Sequence, residues 1–485
     1  LVLAAAAACC APLAQAGALL DAVKAGDRGA TRSLLEQRTD PNEAEADGTT
    51  ALHWAVHQGD VELASALLAA GANAAAANRY GVTPLYLAAE NGSAQLVETL
   101  LAHGADPNIA LPEGETALLT AARTGDVATI EALLARGADV NARERWKGQT
   151  ALMWAAHENN APAISALLAA GAERDARSAG GDFSALSFAV RAGAIDATRA
   201  LLDAGADVNQ TLLDGTSALV LAVTNAHYEL AAVLLEHGAD PNAADQGWTA
   251  LHQLVWSRRW NMGFNLPGPA RTGDLSGLEL ARRLVAHGAN VDARQTKEPI
   301  DGNRNKLNRV GATPFLLAAK SCDVPLMRLL LDQGADASIT TEEGTTALMA
   351  AAGVGIWAPG ENPGTHEEAL AAAELAYEAG GGAINDVNAN GETALHGAVY
   401  RGGAIPVIEF LAARGAALDA VNALGWMPVT VADGVEYTPA VLKRYPEAAA
   451  LLRRLMHEQG LPVPPSTQPG RAGEAVRGAA SVQAR

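Results

Sequence analysis

Residues 50–72 read TALHWAVHQGDVELASALLAAGA, and their pattern decides the architecture. The hydroxyl of Thr50 can cap a helix, and Ala51-Leu52-His53-Trp54-Ala55-Val56 then runs on until Gly59. A second helix is expected from about Asp60. It buries Leu63, Leu67 and Leu68 at helical spacing and stops at Gly71, where a left-handed residue is wanted. Two helices this short cannot cover their own apolar faces, so the unit needs neighbours stacked against it.

The sequence supplies those neighbours. Thr or Ser, then Ala or Pro, then Leu or Phe recurs at Thr50, Thr83, Thr116, Thr150, Ser184, Ser217, Thr249, Thr313, Thr346 and Thr393. Degenerate copies stand at Gly17-Ala18-Leu19 and Met427-Pro428-Val429. From the first residue of the triplet to the glycine of a later L-L-x-x-G-A landmark is 21 residues in the units starting at 50, 83, 116, 150, 184, 217 and 313. Such constancy marks a rigid unit. Between units, D-x-N, as in Asp106-Pro107-Asn108 and Asp139-Val140-Asn141, turns the chain out. Alanine pairs such as Ala88-Ala89, Ala121-Ala122 and Ala155-Ala156 let helix axes approach to about 8–10 Å.

Over about residues 18–430 this pattern resembles the ankyrin repeat. The resemblance implies an all-α repeat solenoid with short β-hairpins, a stack of about twelve repeats. It further implies a concave face of hairpins and first helices that binds other proteins, in a family that rarely catalyses. The family's His after T-P-L is kept at His53, His252 and His396, and Arg38 replaces the expected glycine of the first repeat, as an atypical cap would. The repeats extend to residue 436; residues 437–460 read as C-terminal capping helices, with an amphipathic helix from Pro446 to His457, and 461–485 as a disordered Pro/Gly/Ala-rich tail.

Composition agrees. Aromatics make up only 4% of 485 residues, as suits a thin two-layer stack without a wide core. The 54 Asp and Glu outweigh 35 Lys and Arg, giving −19, which disfavours nucleic acid and anionic membrane as partners. Residues 1–16, LVLAAAAACCAPLAQA, read as the apolar part of a secretory signal peptide cleaved before Gly17, hence a periplasmic or secreted bacterial protein. Lipidation at Cys9 or Cys10 is the weaker alternative. The run is too short to span a membrane, and no later segment qualifies. Cys322 is then the mature chain's one thiol, which leaves no disulfide framework or cysteine metal site to expect.

Nothing in the chain reads as an enzyme. His53 and His57 have the spacing of zinc ligands on a helix, but Trp54 stands where a metalloprotease would carry its glutamate. There is no P-loop and no G-x-S-x-G, so no catalytic residue, metal or cofactor is expected.

Three insertions interrupt the array, near 257–276, 294–310 and 353–366. From Trp256 to Gly311 ten Lys or Arg face five acids, so this stretch carries +5 and the rest of the chain −24. It also holds Trp256, Arg258, Arg259, Trp260, Phe264 and Arg304, while Trp357 lies in the third insertion and Trp146 on the hairpin 143–147. Trp and Arg dominate binding hot spots, so these eight are the partner-binding candidates, with packing of the loops onto the stack as the competing role. By family geometry the first and third insertions emerge on one edge. The expected function is that of a monomeric envelope scaffold binding one protein partner through an acidic groove, hairpin tips and insertions. Protection or assembly of a co-exported enzyme is one use; blocking a toxin or enzyme is the alternative.

Overall fold

The computed structural model describes residues 17–259, 268–299, 307–356, 363–434 and 444–466. They fall into two compact units, Leu1–Val208 and Asn209–Arg485.

The described residues of the first unit form six helix pairs: Ala18–Lys24 with Arg28–Glu36, Ala51–His57 with Val61–Ala69, Pro84–Glu90 with Ala94–Ala102, Ala117–Thr124 with Val127–Ala135, Ala151–His157 with Ala161–Ala169, and Ala185–Ala192 with Ile195–Asp203. Within the unit, successive first helices pack on one another, and so do successive second helices. The expected boundaries follow from capping. Thr83, Thr116 and Thr150 accept from the amides of Tyr86, Leu119 and Met153, and Asp60 and Asp126 do the same for Leu63 and Thr129. Gly71, Gly104 and Gly137 end the second helices at φ of 94°, 89° and 83°. Arg38 occupies the corresponding place in the first repeat at φ 62°. Leu52, Leu67, Leu96, Leu100, Leu118 and Leu133 are almost wholly enclosed, each contributing roughly 1.5–3 kcal/mol of apolar burial. Ala88, Ala89, Ala121, Ala122, Ala155 and Ala156 are completely buried between successive first helices.

The described residues of the second unit also form six pairs: Ala218–Thr224 with Tyr228–Glu236, Ala250–Arg258 with Gly277–Ala286, Pro314–Lys320 with Val324–Asp332, Ala347–Ala352 with His366–Glu378, Ala394–Tyr400 with Ile405–Ala413, and Pro428–Gly434 with Pro446–Glu458. The last helix packs on Ile405–Ala413 and Pro428–Gly434 through Leu451, Leu452 and Met456, and Arg453 pairs with Asp433 beside them.

Between pairs, the expected hairpins are tighter than strands. Among the described residues the only extended pairing is isolated bridges, at Ala44–Thr50, Ala110–Thr116 and Thr211–Ser217. Each arm is only a few residues long, too short for a ladder. The hairpin at 111–115, for instance, closes on Leu111 N–H to Glu115 O (2.9 Å) and Gly114 N–H to Leu111 O (2.8 Å).

Two sets of polar contacts join neighbouring repeats. The Asn of D-x-N reaches across: Asn108 donates to Gly137 O (3.0 Å) and accepts from the Asp139 amide (2.7 Å), and Asn141 treats Gly171 and Glu173 alike (3.3 and 2.8 Å). Asn209, Asn242 and Asn385 repeat the clamp in the second unit. At the tips, Arg79, Arg145 and Ala179 each donate a backbone N–H to the hairpin before, at Asp47, Glu113 and Lys147 (all 2.7 Å). Pro112 takes the equivalent place in the third hairpin and, having no N–H, meets Gly81 by van der Waals contact instead.

Candidate protein-binding surface

The hairpin tips of the first unit carry its most exposed aromatic rings. Tyr80 is 55% exposed and Trp146 85% exposed. The Trp146 hairpin, like the one after it at 178–183, is one residue longer than the three before it, and a carboxylate fills it. Glu144 Oε2 accepts from the Trp146 amide (2.6 Å), and Oε1 accepts from the amides of Lys147 (2.7 Å) and Gln149 (3.0 Å). From outside, Arg143 Nη1 grips the carbonyls of Gly148 (3.2 Å) and Arg177 (2.8 Å), and Arg145 Nη1 grips that of Pro112 (3.1 Å). The backbone of the tip is therefore held from inside and outside while the indole stands in solvent. At Tyr80 the arrangement is smaller: the Arg79 guanidinium lies 4.8 Å from the ring centre and donates to the phenol oxygen.

Below the tips, the first helices expose His57, Glu90, Arg123, His157 and Arg191 in register. Half-buried rings accompany them, with Trp54 edge-on to His57, Trp154 edge-on to His157, and Arg191 over Phe183 at 5.6 Å. This row mixes charges. Most of the unit's exposed acids lie elsewhere, on second helices and turn-outs, among them Glu62, Glu98, Asp106, Glu131, Asp139, Asp196 and Asp203, while Asp21, Glu90, Glu113 and Glu158 remain on this side. The net charge thus describes the opposite side of the repeats, and an acidic groove is not what this face presents.

The three histidines of the T-A-L-H pattern, His53, His252 and His396, are structural. His53 Nδ1 accepts from the Thr50 amide (3.2 Å), which places the ring proton on Nε2, facing Val82 O at 3.1 Å. His252 and His396 repeat this with Thr249 and Ala312, and with Thr393 and Trp426. Burial favours the neutral ring in all three and pushes His252 down to about 4. Among the described residues no three His, Cys, Asp or Glu side chains converge as a metal site would require. None of their helices is long and apolar enough to cross a membrane.

Sequence comparison places the pattern. The family model described as ankyrin repeats (3 copies) matches residues 19–111, 108–178 and 186–262, and the one described as ankyrin repeat matches 310–342 and 390–423. The chain belongs to the ankyrin repeat family. The ankyrin matches skip 263–309 and 343–389, where the insertions lie. One similar solved structure is the human ASB11 ankyrin repeat domain, 28% identical, covering 46% of this chain and 98% of that one with a TM-score of 0.41. None of the curated proteins searched matches the chain.

In the second unit several described residues of the insertions bond back onto the ankyrin stack. Arg258 donates to both carboxylate oxygens of Asp323 (2.8 and 3.0 Å), whose side chain is 2% exposed. Arg259 binds Glu368 through both oxygens (2.9 and 2.8 Å) and donates to Cys322 O. Since Arg259 begins the first insertion and Glu368 follows the third, the two meet on one edge. The Arg259 guanidinium holds the Glu368 carboxyl below the usual carboxylate range. Trp256 is half-buried, with the Arg309 guanidinium 4.7 Å from its ring centre. Arg309 also pairs with Glu298 at 2.9 Å, which anchors the long second insertion.

Among the candidates from sequence, the structure therefore presents Trp146 to solvent and engages Trp256, Arg258 and Arg259 within the unit. Trp260, Phe264, Arg304 and Trp357 lie outside the described residues. Sequence reasoning had not singled out Tyr80, although it occupies a tip like Trp146. The inter-repeat role of the D-x-N asparagine was also missed; its regular recurrence was the available signal.

Proposed function

We propose that the protein is an envelope scaffold that binds one partner protein through the hairpin and first-helix side of its first unit, with Trp146 as the anchor. Ankyrin repeats generally mediate protein–protein interaction and typically lack catalysis of their own, which supports the class. The observation that carries the reading here is an 85%-exposed tryptophan on a hairpin whose backbone is fixed by Glu144, Arg143 and Arg145. A rigid aromatic anchor loses little freedom on docking, so most of its burial appears as affinity. The envelope location rests on the sequence of residues 1–16 alone. Protection or assembly of a co-exported enzyme is the use that fits a scaffold in that compartment.

The test is affinity capture from a native envelope extract with mass identification, using wild type and Trp146→Ala. One protein retained by wild type and depleted at least about tenfold by the variant is the expected result. Equal recovery by both would remove Trp146 as anchor, and no retained protein at all would remove the scaffold itself.

A further inference from the structure

We infer that the partner surface facing the tips of the first unit is carboxylate-rich, an acidic amphipathic segment with apolar side chains to cover the Trp146 indole. This rests on the scaffold reading and specifies its occupant. It also runs against the charge of the whole chain, which at −19 would steer basic partners.

Pairing around the tips carries the inference. Five cations lie on three of the four hairpins from 78 to 183: Arg79 on one, Arg143, Arg145 and Lys147 on another, and Arg177 on the last, while the hairpin at 111–115 between the first two carries Glu113 and Glu115. Most of the acids among them are already committed. Glu144 is enclosed by three backbone amides, Asp182 faces Arg177 at 3.5 Å, and Glu115 faces Arg123 at 3.6 Å while accepting from Thr120. Arg143 reaches an acid only at Glu173, 3.7 Å away. Arg79 bonds to the Tyr80 phenol and lies close enough to Asp47 for the two charges to attract, Arg145 bonds to the Pro112 carbonyl, and among the described residues no carboxylate pairs with Arg145 or Lys147. Glu113 is the one exposed acid in the row without an ion pair. Among the described residues Arg145 and Lys147 thus flank the exposed Trp146 ring with no carboxylate ion-paired to them.

A solvent-facing Arg or Lys beside an aromatic anchor gains most from a partner carboxylate once the indole's burial excludes water, because the local dielectric falls. A basic partner would meet uncompensated cations at the place of closest approach, and such juxtaposition is strongly unfavourable. Tethering Arg143 and Arg145 to backbone carbonyls fixes their positions, so the preference is built into the Trp146 hairpin.

The experiment uses the full chain and two labelled synthetic peptides with the same leucine face, one with Glu and one with Lys on its polar face. Fluorescence anisotropy is read at low and high salt for wild type, Trp146→Ala and the double variant Arg145→Glu/Lys147→Glu. Wild type should bind the Glu peptide at least about tenfold tighter than the Lys peptide, with the margin shrinking in high salt. Trp146→Ala should weaken both peptides, and the double variant should reverse the order. Thermal melts confirm folding, and Trp146→Ala, changed at an exposed side chain, guards against loss of the double variant. Equal affinity for the two peptides, a preference for the Lys peptide, or charge reversal without effect would overturn the inference. If the peptides show no preference while envelope capture still depends on Trp146, the scaffold reading stands and the acidic occupant falls.

Discussion

Single residues carry two roles that their neighbours in sequence do not reveal. Asn108 makes two bonds to the next repeat through one amide, so Asn108→Ala should cost about 1–2 kcal/mol in a urea titration even though the side chain sits at the surface. His252 makes a pH-dependent contribution with a definite sign. Its ring is held neutral, pushed down from an ordinary 6.5 to about 4 by burial, so as pH falls the unfolded chain takes up the proton first. The stability is whole above pH 6.5 and is lost as pH falls from there toward 4, by up to roughly 3 kcal/mol. His252→Gln should be weaker at pH 7.5 but lose less of its urea midpoint between pH 7.5 and pH 5 than wild type does. An equal loss in both proteins would mean that other groups govern the acid limb.

At the scale of elements, glycine shows how space and backbone separate. Gly114 and Gly137 share left-handed φ values, 89° and 83°, yet a Cβ on Gly114 would meet the Arg145 amide and Cγ at 2.9 Å while one on Gly137 meets nothing. Gly137→Ala should cost about 1–2 kcal/mol for the backbone alone. Gly114→Ala should cost more and speed amide exchange at Arg145, Trp146 and Lys147, since the tip must move. The insertion edge of the second unit offers a parallel contrast. Arg258→Ala strands the enclosed Asp323 carboxylate and should destabilise by about 3–5 kcal/mol. Arg259→Ala frees a Glu368 that is 44% exposed and should cost about 1 kcal/mol. Chemical denaturation of the two variants distinguishes these outcomes; equal losses would show that Asp323 is not the buried charge that matters.

On the scale of the whole molecule, what was legible in the sequence was whatever repeats. The period of the Thr triplets, the Gly71-type stops and the buried alanine pairs located the helices because each feature is a local rule applied at every repeat. Charge was less legible, since −19 is a sum and does not say which face holds the acids. In the first unit most of the exposed ones occupy second helices and turn-outs. The basic insertion residues Arg258 and Arg259 are taken up by Asp323 and Glu368, partners 65 and 109 residues away that no local pattern announces. Trp146 could be proposed from composition, but its exposure could not, because that depends on Glu144 folding back under its own hairpin. The central claim is that partner binding uses the tips of the first unit. Hydrogen–deuterium exchange of the full chain, with and without its captured partner, tests it most directly. The account predicts new protection at 78–82, 111–115 and 143–149, with the second helices Val61–Ala69, Ala94–Ala102 and Val127–Ala135 unchanged. Protection confined to those second helices, or absent from the three tips, would contradict it.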